Sequence, residues 1–212
     1  MTNPAFPNVA ERPRIGTRHE PGATPRNPDA GGRAEPDGCL PADLQLRTAC
    51  TSDRPFLLTL YGSVRAPELR GCLWPQSRKE AFIADQFRLQ HDHYRRTNPG
   101  ADYWVIERTT GSGASVPIGR LSLDGSCRDW HLIELSLLPG DRGCGHGTAL
   151  IRWIQQAAKA AAAEGVGLHV ALDNPGAIRL YARTGFGWMP SRFPTHACLR
   201  WTPPASRGDR LA

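Results

Sequence analysis

A glycine-rich turn limits the folds and functions open to this chain. The turn runs Arg142-Gly143-Cys144-Gly145-His146-Gly147; it follows an apolar segment from Leu132 to Leu138 and precedes a helix-like segment that starts near Thr148. Glycine adopts positive φ angles and lets the backbone approach a ligand closely. The N–H groups and the dipole at the start of the following helix favour an anion. The turn predicts a phosphate or pyrophosphate site, although a tight strand-to-helix connection without any ligand could use the same residues.

Two common nucleotide-binding patterns do not fit this turn. The phosphate-binding loop of NTPases has a lysine and then a serine or threonine after its last glycine, whereas Gly147 is followed by Thr148 and Ala149. The dinucleotide fingerprint needs Gly-x-Gly-x-x-Gly in an early βαβ unit and an acid about 20 residues later. Here the glycines alternate with other residues, and Asp173 follows about 26 residues on.

The pattern Arg-x-x-Gly-x-Gly of this turn resembles the cofactor-binding motif of the GNAT superfamily of N-acetyltransferases, in which Gln/Arg-x-x-Gly-x-Gly/Ala holds the pyrophosphate of acetyl-CoA. A second segment, Asn174-Pro-Gly-Ala-Ile-Arg-Leu-Tyr-Ala-Arg-Thr-Gly-Phe186, is similar to the family's Asn-x-x-Ala-x-x-Leu-Tyr-x-x-x-Gly-Phe. The two segments stand in the family's order, about 30 residues apart. The resemblance covers roughly residues 44–201 and is sharp from about Leu132 to Phe186.

The resemblance implies both a fold and a reaction. The fold would be a single α/β domain of the GNAT type, with helices flanking a mixed, mostly antiparallel sheet that opens between its fourth and fifth strands. The enzyme would be an acyltransferase with acetyl-CoA as co-substrate and a primary amine of a small molecule, protein or peptide as acceptor. Transfer would occur by direct attack in a ternary complex. The alternatives are a non-catalytic acyl-CoA-binding regulatory module and an interaction protein that recruits a partner through its proline-rich tail.

The family's cofactor contacts can be carried over by position. The resemblance implies that backbone groups of Leu135, Ser136 and Leu137 pair with the pantetheine and that one of their N–H groups polarises the thioester carbonyl. Asn174 would contact the pantetheine arm. The pyrophosphate would be held, mainly through backbone N–H groups, by Arg142, Gly143, Cys144, Gly145, His146, Gly147 and Thr148.

Amide formation from a thioester needs a deprotonated amine, a stabilised carbonyl oxygen and a proton for the departing thiolate. By the resemblance, Tyr181 is the proton donor, because the tyrosine of this segment lies close to the CoA sulfur in the family. The alternative is an ordinary buried aromatic residue on an amphipathic helix.

Two residues are candidates for the base that accepts the proton of the amine. Glu134 lies within the apolar segment 132–135, where a carboxylate is poorly hydrated, and many relatives carry an acid on this strand that acts through water. His169 stands five residues before Asn174, where some relatives have a catalytic glutamate, and histidine titrates near neutrality. The alternatives are a carboxylate paired with an arginine and a histidine of the core or rim.

The composition predicts a basic folded domain with polar ends. Residues 1–43 hold eight of the 19 prolines and few large apolar residues, so we expect a disordered tail. The acetyltransferase domain would span residues 44–203, and residues 204–212 would form a flexible C-terminus. The tail is near −1 in charge, so the remainder carries about +7 against a total of +6. A basic domain suits a polyanion such as CoA, and the lack of a basic stripe interleaved with aromatic residues disfavours nucleic acid.

Cysteine spacing and hydropathy predict whether the protein binds a metal, contacts a membrane or resides in the cytoplasm. The six cysteines form no Cys-x-x-Cys pair, and we expect no metal. His91 and His93 are two apart on a predicted helix and cannot share one ion. Without a secretory pattern or an apolar run of roughly 20 residues, we expect a cytoplasmic protein with free thiols and no membrane contact. A homodimer is common for such folds.

Periodicity and turn residues predict the remaining elements. A glycine at position 165 or 167 is expected to end the third helix. Strands are expected over residues 44–47, 103–107, 118–123, 130–138, 168–172 and 196–201, and helices from about 53 and over 77–95, 149–163 and 175–184.

Overall fold

The computed structural model describes residues 40–204. The predicted tail over residues 1–43 and the predicted flexible C-terminus over residues 204–212 therefore lie almost entirely outside the described residues. The last residues of that predicted tail, 40–43, do contact the sheet: the Asp43 carbonyl accepts a hydrogen bond from the Thr109 N–H at 2.8 Å.

Seven strands and four helices follow one another along the described chain. The strands are β1 Leu44–Thr48, β2 Asp102–Thr109, β3 Ser115–Asp124, β4 Asp129–Leu137, β5 Gly165–Ala171, β6 Gly187–Met189 and β7 His196–Trp201. The helices are α1 Arg54–Arg65, α2 Gln76–Thr97, α3 His146–Ala160 and α4 Pro175–Arg183. Short 3₁₀ turns cover Thr51–Asp53, Ala66–Leu69 and Pro139–Asp141.

All seven strands form one sheet in the order β1-β2-β3-β4-β5-β7-β6. Every neighbouring pair is antiparallel except β4 and β5, which run parallel. The β4–β5 register extends only from Asp129 opposite Gly165 to Leu132 opposite Leu168. Both strands continue beyond this point, so the sheet opens between them. The predicted fold class, a mixed and mostly antiparallel sheet in a single domain with helices, is confirmed.

Helices cover both faces of the sheet. Tyr103 and Trp104 are neighbours on β2 and therefore point to opposite faces. The Tyr103 hydroxyl donates to the Tyr94 carbonyl on α2 at 2.9 Å. Trp104 meets Trp153 on α3 edge-to-face, with ring centroids 6.0 Å apart. The α1–α2 pair thus lies on one face and α3 on the other. The stripe that α3 buries consists of Leu150, Ile151, Ile154, Ala157 and Ala158.

The end of α3 differs from the prediction that Gly165 or Gly167 would terminate it. The helix ends at Ala160, and Ala162 adopts a left-handed conformation with φ of 51°. The Ala163 N–H bonds the Ala158 carbonyl at 2.8 Å, which is the pairing of a Schellman cap with alanine in the place that glycine usually takes. Gly165 instead begins β5, where a Cβ would lie 2.7 Å from the Trp201 carbonyl oxygen. The prediction was wrong because glycine is needed at position 165 for the close approach of β7 and does not end the helix.

Strand β6 was not predicted from the sequence. It has only three residues, all exposed, and pairs with β7 at the edge of the sheet. Trp188 on this strand is 62% exposed. Such a short strand with no buried face has no alternating pattern that a sequence could reveal.

Candidate active site

The glycine-rich turn joins the end of β4 to the start of α3 through two residues with positive φ. Gly143 has φ of 79° and Gly145, the N-cap of α3, has φ of 92°. A Cβ at either position would meet no atom within 4 Å, so the backbone angle, and not space, accounts for glycine here. The first N–H groups of α3 have no partner within the helix. Together with the helix dipole, these groups can hold a phosphate.

Side chains on three elements fix the turn in place. The Arg142 Nε donates to the Leu137 carbonyl at 2.8 Å, which folds this side chain back onto the end of β4. Asp141 pairs with Arg108 of β2 at 3.0 Å. A Cβ on Gly147 would lie 3.2 Å from Leu180 Cδ2, so this glycine lets α3 approach α4 closely.

The side chains of His146 and Cys144 point to different surroundings. His146 is mostly buried, and its Nε2 lies 3.8 Å from an oxygen of Asp43. The Cys144 thiol is exposed and lies 3.7 Å from the Arg142 carbonyl. Thr148 belongs to the first turn of α3, so its N–H is one of those without a helical partner.

The edge of β4 that faces the opening is available to an extended ligand. Leu135, Ser136 and Leu137 pair with β3, opposite Leu121, Arg120 and Gly119. Their other side faces β5, whose register with β4 has already ended at Leu132 and Leu168. This stretch is joined to the glycine-rich turn by Leu138 and the 3₁₀ turn Pro139–Asp141, so one linear molecule can contact both.

Tyr181 lies on α4, which follows β5, and Asn174 is the N-cap of that helix. The Asn174 Oδ1 accepts a hydrogen bond from the Ala177 N–H at 3.1 Å and so caps the helix. Tyr181 is 8% exposed and packs against Phe186, with ring centroids 5.5 Å apart. Burial raises the pKa of Tyr181 to about 12. The phenol therefore keeps its proton at neutral pH.

The raised pKa of Tyr181 bears on whether its phenol transfers a proton to the CoA thiolate or only donates a hydrogen bond to it. An ordinary thiol has a pKa near 8.5, so full proton transfer from such a phenol to a thiolate would be uphill by about 5 kcal/mol. A hydrogen bond from the intact phenol to the departing sulfur carries no such cost. The raised pKa of Tyr181 favours that role over complete proton transfer.

Glu134 forms an ion pair inside the sheet. Its Oε2 lies 3.2 Å from Arg120 Nη1 on the neighbouring strand, in a geometry too bent for a hydrogen bond. The other oxygen, Oε1, accepts a hydrogen bond from the Ser136 hydroxyl at 3.1 Å. The two side chains are 4% exposed for Arg120 and 17% for Glu134. The sequence raised such a pairing as the structural alternative to a base, but it did not identify Arg120.

Around this pair lies a set of buried polar atoms beneath α1 and α2. Within residues 40–204, the Tyr61 hydroxyl, the Gln90 Oε1 and the Ser122 hydroxyl have no hydrogen-bond partner. The Gln90 Nε2 lies 3.3 Å from the Tyr94 hydroxyl. Burial, and secondarily the Glu134 charge, raises the pKa of Tyr94. Buried polar atoms without protein partners are costly unless water or a ligand supplies the missing bonds, so these atoms are candidate contacts for a polar ligand.

His169 lies on β5 at the other side of the opening. It is exposed, and its ring contacts those of His131 at 5.7 Å and Phe193 at 5.4 Å. Strand alternation places it on the face opposite the buried Leu168 and Val170. Glu134 and His169 therefore share one face of the sheet, on either side of the opening.

Neither a metal-binding cluster nor a membrane-spanning helix occurs in the described part of the chain. Residues 40–204 contain no group of three or more His, Cys, Asp or Glu side chains placed to hold a metal ion. None of the described helices combines the length and apolarity needed to cross a membrane.

The sheet opening, the turn and the capped α4 together place an open strand edge near backbone N–H groups that can hold a phosphate. The sequence model described as the acetyltransferase (GNAT) family matches residues 66–186. The chain belongs to this family, and it is an enzyme of the acyltransferase class whose general activity is acetyl transfer. No curated protein matches the chain in sequence.

Solved structures of acetyltransferases share the fold. PaiA N-acetyltransferase from Thermoplasma acidophilum, in complex with coenzyme A, is 15% identical, with a TM-score of 0.56 over 75% of this chain and 98% of that chain. Spermidine N-acetyltransferase from Vibrio cholerae, in complex with CoA and spermine, is 19% identical, with a TM-score of 0.50 over 76% and 94%. An acetyltransferase from Thermus thermophilus is 18% identical, with a TM-score of 0.55 over 76% and 97%. At these identities the likeness establishes the fold alone.

Proposed function

We propose that this protein transfers an acetyl group from acetyl-CoA to a primary amine of a small molecule, protein or peptide. The observation that carries this proposal is the opening between β4 and β5 beside the glycine-rich turn. The opening leaves the edge of Leu135, Ser136 and Leu137 unpaired on one side, which suits a pantetheine arm. The turn presents backbone N–H groups to the pyrophosphate at the end of that arm.

In this proposal the amine attacks the thioester directly in a ternary complex. An N–H of the β4 edge donates to the carbonyl oxygen as it gains charge. Glu134 accepts the proton of the amine through water, and its Ser136 hydrogen bond orients the carboxylate. Tyr181 donates a hydrogen bond to the departing sulfur. His169 is the second candidate base, because it faces the opening from β5.

Two of the structural relatives support the choice of substrates. The Thermoplasma protein and the Vibrio enzyme are both in complex with CoA, and the latter also with spermine. An acceptor amine would enter from the face of α1 and α2, where Tyr61, Gln90 and Ser122 offer unpaired oxygens to its N–H groups.

We further propose the organisation and setting of the enzyme. The catalytic domain spans residues 44–203, and a variant without residues 1–39 should bind acetyl-CoA as the full chain does. The cytoplasm is the proposed location and a homodimer the proposed assembly. Loss of acetyl-CoA binding in the shortened variant would contradict this domain assignment.

Calorimetric titration with acetyl-CoA tests the proposed function. Micromolar binding is expected for the natural chain, and an Arg142→Ala/Gly145→Asp variant should lose it. CoA release is then measured with a panel of monoamines, diamines, polyamines, aminoglycosides and peptides. Binding without release on any amine would favour the non-catalytic acyl-CoA module, and no binding at all would refute the assignment of the turn.

A further inference from the structure

A cavity of about 570 Å³ lies between the end of β1, the start of α1 and the end of α2. Its volume falls within the range of about 300–1,000 Å³ that small-molecule pockets occupy. The cavity is not the opening between β4 and β5. Arg95 in its wall lies over the ring of Tyr103 on β2, and β2 is two strands, or about 10 Å, from β4.

Three arginines dominate the charge of this cavity. Arg54, Arg95 and Arg96 all line it, and Asp92 is the one acid among its lining residues. Within residues 40–204 none of the three guanidinium groups forms an ion pair. Arg54 and Arg95 lie over aromatic rings instead, 5.8 Å from the Phe87 centroid and 5.2 Å from the Tyr103 centroid. Rings hold the guanidinium groups in position without neutralising them.

His91 in the same wall responds to this positive charge. Burial lowers the pKa of His91, and the charges of Arg120, Arg95 and Arg54 lower it further, while Asp92 acts in the opposite direction. Its Nδ1 is buried and has no hydrogen-bond partner among the described residues. The ring packs on Phe87 at 5.6 Å. Burial and the positive field therefore both favour the neutral form of His91, whose Nδ1 lacks a partner within residues 40–204.

The start of α1 adds to the same field. The N-terminus of a helix carries partial positive charge, and Arg54 is the first residue of this one. Asp53, the acid at this end, is already engaged by Arg47 through two hydrogen bonds of 2.8 and 3.0 Å. Asp92 is then the one acid that lines the cavity beside the three arginines.

We propose that this cavity binds a small organic anion, with Arg54, Arg95 and Arg96 as the groups that hold its carboxylate or phosphate. Guanidinium groups pair with both kinds of anion through two parallel hydrogen bonds. The site is distinct from the glycine-rich turn and does not depend on the proposed acetyl transfer.

Titration of the full-length protein with citrate and with inorganic phosphate tests the proposal. Saturating CoA keeps the probes out of the glycine-rich turn, and constant ionic strength removes general salt effects. Saturable binding of at least one probe is expected, and the tighter probe identifies the carboxylate or the phosphate as the group recognised. An Arg95→Gln/Arg96→Gln variant should bind that probe about tenfold or more weakly. Arg88→Gln is the matched control, because Arg88 lies on the same helix beside Asp85 at 3.7 Å and should leave the affinity unchanged.

A second measurement uses the natural chain alone. The probe should raise the pKa of His91 in an NMR titration, since it neutralises the nearby guanidinium charges, and a His91→Gln variant assigns the signal. Equal affinity in the arginine variant and the control, or no saturable binding of either probe, would overturn the proposal. Because CoA contacts none of these arginines in the proposed complex, failure of CoA to bind would leave the comparison of variants intact.

Discussion

Replacing Glu134 while Arg120 stays should lower both the stability and the activity of the enzyme. Replacing both residues should restore the stability, so any loss of activity that remains reports on the role of Glu134 in catalysis. Glu134→Leu leaves the Arg120 guanidinium, whose side chain is 4% exposed, without the carboxylate 3.2 Å away. Breaking a buried ion pair in this way costs about 3–5 kcal/mol. Glu134 itself is 17% exposed, so water reaches part of the pair and the lower end of that range is expected.

The size of the effect can be converted into a melting temperature. For a domain of this size, each kcal/mol shifts the transition by about 2–4 °C. Glu134→Leu should therefore lower the melting temperature by about 6–12 °C, with the Ser136 hydrogen bond to Oε1 as a smaller additional loss. The Arg120→Leu/Glu134→Leu variant should return to within about 1 kcal/mol of the natural chain, because replacing both members of a buried pair by apolar residues is often neutral.

Chemical denaturation and CoA release, measured on the natural chain and these variants, complete the test. If Glu134 is the base, the double variant is stable but inactive. A stable double variant with normal turnover would show that the pair is only structural and would move the base to His169. A single Glu134→Leu variant that keeps full stability would refute the reasoning from burial.

Four further predictions concern the turn and α4. Tyr181→Phe should lower kcat by about 10²-fold while calorimetry shows unchanged acetyl-CoA affinity; an unchanged kcat would exclude the donor role. Because burial raises the pKa of Tyr181 to about 12, above the unfolded value of about 10, its contribution to stability is complete below pH 10 and is lost as the pH rises through 12. The same variant should therefore lose less stability than the natural chain between these pH values, and parallel denaturation profiles would contradict this. Gly145→Ala should cost about 1–2 kcal/mol and weaken acetyl-CoA binding, since φ is 92°. Gly140→Ala, in open space without a positive φ, is its control; equal losses in the two variants would refute the argument. Asn174→Ala should lose the cap of α4 and about 1 kcal/mol in thermal denaturation, and no change would show that the cap contributes little.

The elements that the sequence predicted well are those with long periodic patterns or with turn chemistry. The start of α3, for example, was expected near residue 148 and lies at His146. The glycines of the turn were expected to allow positive φ, and Gly143 and Gly145 adopt it whereas Gly147 does not. These features are local, because a glycine and the residues next to it decide them.

The contacts that could not be predicted from the sequence depend on the pairing register of the strands and on how the helices pack on the sheet. Arg120 meets Glu134 only because β3 and β4 pair so that Ser122 lies opposite Glu134 and Arg120 opposite Ser136. An arginine inside the apolar segment 118–123 was a signal of a buried charge, yet no spacing rule names its partner. Tyr61, Gln90 and Ser122 come from three elements and meet only when α1 and α2 pack on the sheet.

The narrow junction between β4 and β5 also links folding to ligand supply. Four registered pairs, from Asp129–Gly165 to Leu132–Leu168, join β1–β4 to β5–β7 within the described sheet. A ligand bound in the opening beyond these pairs would contact both β4 and β5 and so connect strands β1–β4 to strands β5–β7. At a concentration of about 100 times its Kd, such a ligand adds about 2.7 kcal/mol to the free energy of unfolding. If the proposed cofactor is that ligand, the chain would resist proteolysis best when acetyl-CoA or CoA is plentiful, so its abundance in a cell would follow the total supply of the two.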